Sequence, residues 1–120
     1  MISRRNNTKI GTRFSALRKL AGLSLDALSS VSGISKATLS RIENGSKTFE
    51  YSHIEILSSV FGFDDDSIHS SEFNLPSETQ VKNSIKKYIK KNKLQITFAN
   101  LYRNKPGQRI MLIKWLKPTF

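Results

Sequence analysis

The sequence predicts a mainly α-helical protein: a five-helix N-terminal domain followed by a small α+β extension, made of a basic helix and a β-hairpin. Three observations carry this expectation. Residues 10–68 divide into short stretches with apolar residues at helical spacing, punctuated by serine, aspartate and glycine. The charge changes character near residue 70. Near the C-terminus, two apolar segments flank "NKPGQ", in which Pro106 and Gly107 suit the centre of a type II turn.

In the first helix Ile10, Phe14, Leu17 and Ala21 form one stripe, which Gly22 ends. Ser24 opens the second helix, "LDALSSV", as an N-cap whose hydroxyl accepts a free first-turn N–H, and Gly33 ends it. The third helix lies within "SKATLSRIENG". Ser35 caps its start, and Gly45 is placed to close it in the left-handed conformation. A fourth helix spans about Tyr51 to Phe61, with Ile54, Leu57, Val60 and Phe61 on one side. "DDDSI" starts a fifth, its carboxylates favoured at the positive end of the helix dipole. The expected organisation is an N-terminal arm (1–9), a helical domain (10–70), a linker (71–77) and the extension (78–120).

The chain has 120 residues and 38% hydrophobic content, enough for a packed core. It has no cysteine, which excludes disulfides and cysteine-based zinc sites and fits a cytoplasmic setting. No apolar run approaches a membrane span, and "MISRRNNTKI" lacks the apolar core of a secretion signal. The formal net charge is +11, which points to a polyanionic partner. Residues 1–70 hold nine basic and seven acidic groups, whereas residues 71–120 hold eleven and two. The two regions therefore carry different electrostatic tasks.

In the extension, "ETQVKNSIKKYIKKNK" sets Val81, Ile85, Tyr88 and Ile89 on one helical face and lysines over the rest. The apolar face is narrow, so membrane binding is not expected. The hairpin is expected to pair Leu94–Tyr102 with Gln108–Leu116, although period-2 alternation in the first segment breaks after Phe98 and a helix is the alternative there. Ile110 and Leu112 face one way in the second strand, and Met111, Ile113 and Trp115 the other. A lone hairpin cannot cover two apolar faces. These five residues are the candidate surface for a homodimer or for a protein partner.

The run "GLSLDALSSVSGISKATLSRIENG", Gly22 to Gly45, resembles the helix-turn-helix of the phage-repressor (Cro/CI, XRE-type) DNA-binding family, and the likeness extends over about residues 10–68. The resemblance implies that the third helix enters the major groove of double-stranded DNA and that the second helix directs its N-terminus at a phosphate. By position, Lys36, Ala37, Ser40 and Arg41 are similar to the family's base-reading set. Ser24, Thr38, Asn44 and Lys47 resemble its backbone-contacting set. Helix geometry adds that with Leu39 and Ile42 inward, Ala37, Arg41 and Asn44 point outward. Arg41 can hydrogen-bond guanine O6 and N7 together. The alternative for Arg41 is an ordinary solvated arginine.

Glu43 falls beside Leu39 and Ile42, near the buried side, where a carboxylate needs a partner. Arg18 is the candidate, and the family pairs these positions. One residue departs from the family pattern. Where the first turn of the second helix often has a phosphate-contacting glutamine, this chain has Leu25.

No catalytic constellation is found, so no enzymatic activity, metal or cofactor is expected. His53 and His69 lack metal-ligand spacing, and Asp64, Asp65 and Asp66 read as caps. The functional expectation is a sequence-specific DNA-binding regulator, a repressor, acting as a homodimer on a palindromic operator at the nucleoid, in phage, plasmid or mobile-element control. The competing expectation is an antitoxin that autoregulates its operon and binds a toxin through the extension.

Overall fold

A computed structural model describes residues 4–46 and 50–102, with side chains from Lys9 onward. Among the described residues six α-helices follow one another: α1 (Arg4–Leu20), α2 (Leu25–Ser32), α3 (Lys36–Glu43), α4 (Tyr51–Phe61), α5 (Asp65–His69) and α6 (Glu78–Lys91). A 3-10 helix, Phe98–Tyr102, follows at the end of the described residues.

Local chemistry explains where these helices start and stop. Ser24 Oγ accepts from the Ala27 N–H at 3.0 Å, and Ser35 Oγ from the Thr38 N–H at 3.2 Å. At the start of α6 the Gln80 N–H donates to Ser77 Oγ while the Ser77 N–H donates to Gln80 Oε1, a reciprocal box that satisfies two free donors. α3 closes on Gly45 at φ 76°. The Ser46 N–H reaches Arg41 O and the Gly45 N–H reaches Ile42 O, so two terminal carbonyls find partners.

α1 crosses α3, and α2 packs on α3 and α4. Phe14, Leu17, Leu39, Ile42, Ile54 and Leu57 are buried at this centre. The crossing of α1 over α3 depends on Gly11. A Cβ there would lie 2.0 Å from the Ile42 carbonyl oxygen, so only a glycine allows this approach.

The core does not stop at residue 70. α6 packs on α4 and α1, burying Val81 and Ile85 completely. The 3-10 helix packs on α2, burying Leu101 and Tyr102, and the Tyr102 hydroxyl donates to Ala21 O at 2.5 Å. The expected linker is also fastened. Arg13 donates to Ile68 O at 2.6 Å and lies 4.6 Å above the Phe73 ring, which in turn meets Phe63.

Two boundaries differ from expectation. α1 begins at Arg4, so residues 4–9, expected as an arm, are helical. They carry no apolar stripe, but extending a nucleated helix costs little. The first strand of the predicted hairpin is not a strand. Residues 94–97 are irregular, and residues 98–102 form the 3-10 helix. Its three-residue repeat aligns Phe98 with Leu101, and Tyr102 follows into the core, a placement that alternation cannot produce. The second strand of that prediction, with Ile110, Met111, Leu112, Ile113 and Trp115, lies outside the described residues.

Burial pushes the Tyr102 hydroxyl up to about 12, with Glu78 adding to the effect. The unfolded chain ionises near the ordinary tyrosine value of about 10. Between these values the folded state holds the proton and the unfolded state does not, so stability falls as pH rises from about 10 to about 12. Denaturant titrations across this range should show a steeper loss for wild type than for Tyr102→Phe. Parallel curves would contradict the burial.

Candidate nucleic-acid interface

α3 is short, capped at both ends and two-sided. Leu39 and Ile42 are 1% and 0% exposed, while Lys36, Ala37, Arg41 and Asn44 lie open to solvent. Ser40 is half-buried at the edge. Helical spacing alone sorts these residues, since positions three and four apart share a face.

Glu43 is the last residue of α3. A carboxylate at a helix C-terminus opposes the helix dipole, so local helix stability does not explain it. Arg18 does. Its Nε donates to Glu43 Oε2 at 2.6 Å and its Nη2 to Glu43 Oε1 at 2.9 Å. The third arm of the guanidinium donates to Leu23 O at 2.7 Å. The side chains are 14% and 10% exposed, so this fork is largely shielded from water. It ties the end of α3 to α1 and to the turn before α2, and so sets the angle at which α3 is presented.

The remaining polar groups are placed as follows. Lys36 Nζ lies 3.6 Å from Asp26 Oδ2, with both side chains mostly exposed. An exposed pair of this kind contributes little and can open to another anion. Ser24 spends its hydroxyl oxygen on the α2 cap, at the positive end of that helix. Thr38 Oγ1 accepts from Ser35 Oγ at 2.8 Å, close to the start of α3. Asn44 is exposed at the C-terminal end of α3, its backbone N–H returning to Ser40 O at 3.0 Å. Lys47 lies outside the described residues. Leu25 is partly buried against the core, so the first turn of α2 uses this position for packing.

The histidines serve the backbone: His53 Nδ1 accepts from the Glu50 N–H at 3.3 Å, and His69 Nδ1 lies 2.8 Å from Asp65 O. Asp64 caps α5 by accepting from the Ser67 N–H at 2.7 Å, and hydrogen bonding from the Ser67 side chain, then from its backbone, holds the Asp64 carboxyl below the usual range. Among the described residues no group of histidine, aspartate and glutamate side chains is placed to hold a metal ion, and no helix is long and apolar enough to cross a membrane.

Sequence reasoning passed over three residues that position the site: Gly11, Arg13 and Tyr102. For Gly11 a signal was present. A glycine inside an apolar helical stripe costs about 1 kcal/mol against alanine and so marks a close approach. Arg13 and Tyr102 act across 55 and 81 residues of chain, and no local pattern announces such contacts.

Two helices joined by a tight turn, the second projecting a polar edge away from the core, define a helix-turn-helix DNA-binding protein. The family model described as a helix-turn-helix domain matches residues 9–69, just over half of the chain. The chain belongs to the helix-turn-helix domain family. No curated protein and no solved structure matches it.

Proposed function

We propose that the protein is a sequence-specific regulator of transcription, a repressor, that binds a palindromic operator as a homodimer in the cytoplasm at the nucleoid. It acts by binding, with no catalytic step and no cofactor. The observation that carries this reading is the sidedness of α3, whose inner edge is locked by Leu39, Ile42 and the Arg18–Glu43 fork while Arg41 and Ala37 stand free on the outer edge.

In this reading Arg41 spans O6 and N7 of a guanine. Lys36 reads a second guanine, Ala37 meets a thymine methyl, and Ser40 takes a neighbouring base edge. The N-terminus of α2 at Ser24, with Thr38, Asn44 and Lys47, grips the sugar–phosphate backbone. A two-fold dimer places two copies of α3 in successive major grooves, about one helical turn apart.

Selection of bound sites from random duplex DNA tests the proposal. The expected result is a two-fold motif with guanine in each half-site. Recovery of no motif would sink it. Sedimentation of the free protein as a monomer at micromolar concentration would count against the dimer.

A further inference from the structure

The run from Gly22 to Gly45 holds the parts that the reading above gives to DNA, yet its formal charge is zero. Its cations are Lys36 and Arg41, and its carboxylates are Asp26 and Glu43. Glu43 is turned inward and spent on Arg18. Asp26 stays in water. Its side chain is 75% exposed, and its Oδ2 lies 3.6 Å from the Nζ of Lys36, itself 60% exposed. A carboxylate on the edge that meets a polyanion opposes the encounter, so its presence there needs a reason.

The contact itself fixes where this carboxylate lies. Lys36 is the first residue of α3, and Asp26 is in the first turn of α2, two residues after the Ser24 cap. The Asp26 side chain therefore joins the starts of the two helices. First-turn N–H groups and the helix dipole make the start of α2 attractive to an anion, and Lys36 adds a full positive charge beside it. A DNA phosphate approaching the start of α2 would use the same two features. Asp26 already occupies both. The dipole accounts for an acid in the first turn of α2. It does not account for the contact with Lys36, which spans the turn between the helices.

We infer that Asp26 limits the affinity for DNA: in the free protein its carboxylate stands in for a phosphate and holds Lys36, and the duplex must displace it. The inference rests on the DNA-binding reading above. An exposed pair at this distance is weak enough to exchange. Once displaced, the carboxylate faces the phosphates of any duplex. Asp26 thus sets how tightly the helix-turn-helix holds DNA rather than which sequence it prefers.

The test uses the full chain, a duplex carrying the selected site and an unrelated duplex. Affinity is followed against salt for wild type, Asp26→Asn, Asp26→Glu, Lys36→Gln and Asp26→Asn/Lys36→Gln. Asp26→Asn should bind both duplexes about three- to tenfold more tightly at 0.1 M salt, and the slope of log K against log salt should steepen by about 1. Since the expected change is a gain, misfolding cannot mimic it. Asp26→Glu keeps the charge and should bind as wild type does. In the Lys36→Gln background the gain from Asp26→Asn should shrink to less than half on the logarithmic scale. Unchanged or weaker binding by Asp26→Asn would overturn the inference. So would a gain confined to the selected site, or a gain that persists in full without Lys36. Failure of the DNA-binding reading is separate and is seen in the wild type alone, which would then prefer no site.

Discussion

Arg18→Ala should lower the melting temperature by roughly 10 °C or more, although Arg18 touches no DNA in this account. The substitution leaves Glu43 largely buried with neither of its two charge-assisted hydrogen bonds, and it strips Leu23 O of a donor. Removing one partner of a buried ion pair costs about 3–5 kcal/mol, chiefly because the other charge is stranded. For a domain of this size that is a large share of the total stability. The sign of the double replacement makes the test specific. Arg18→Met/Glu43→Leu removes both charges and fills the space with apolar atoms, so it should recover much of the loss. Calorimetry on the three proteins checks this. A single mutant that melts with the wild type would show that the fork contributes nothing.

Gly11→Ala should also destabilise, by about 1–3 kcal/mol, against the usual direction of that change. In an exposed helix interior, alanine in place of glycine stabilises by up to about 1 kcal/mol. Here the new methyl group meets a backbone carbonyl of α3 at 2.0 Å, and a backbone atom cannot swing aside. Either α1 lifts away from α3 or the end of α3 tilts. DNA affinity should therefore fall along with the denaturation midpoint. A gain in stability in urea titration would contradict the close crossing.

Much of the helix-turn-helix was legible because its signals are local. Ser24, Ser35 and Gly45 are caps that act within four residues of chain, and the Leu39–Ile42 spacing alone orients α3. Arg18–Glu43 was legible by a different route. A carboxylate on the inner side of a helix demands a cation, and the family resemblance points to one. The extension was not legible in the same way. Leu94, Ile96 and Phe98 alternate like a strand, yet all three pack partly against the core. The 3-10 turn after them is held by a hydrogen bond from Tyr102 to a carbonyl 81 residues away. Leu25 shows the converse. As a departure from the family pattern it signalled a missing phosphate contact, and the structure shows the packing role that replaces it.

The central claim is that the free outer edge of α3 reads base sequence through Arg41. The most direct measurement is the affinity of wild type and Arg41→Ala for the selected operator and for the same operator changed at one guanine per half-site. Wild type should lose about 1–3 kcal/mol per altered half-site, and Arg41→Ala should bind both operators alike while keeping preference at the other positions. If Arg41→Ala instead weakens binding equally on every sequence and leaves the guanine preference intact, Arg41 is a phosphate contact and the account of how α3 reads DNA is wrong.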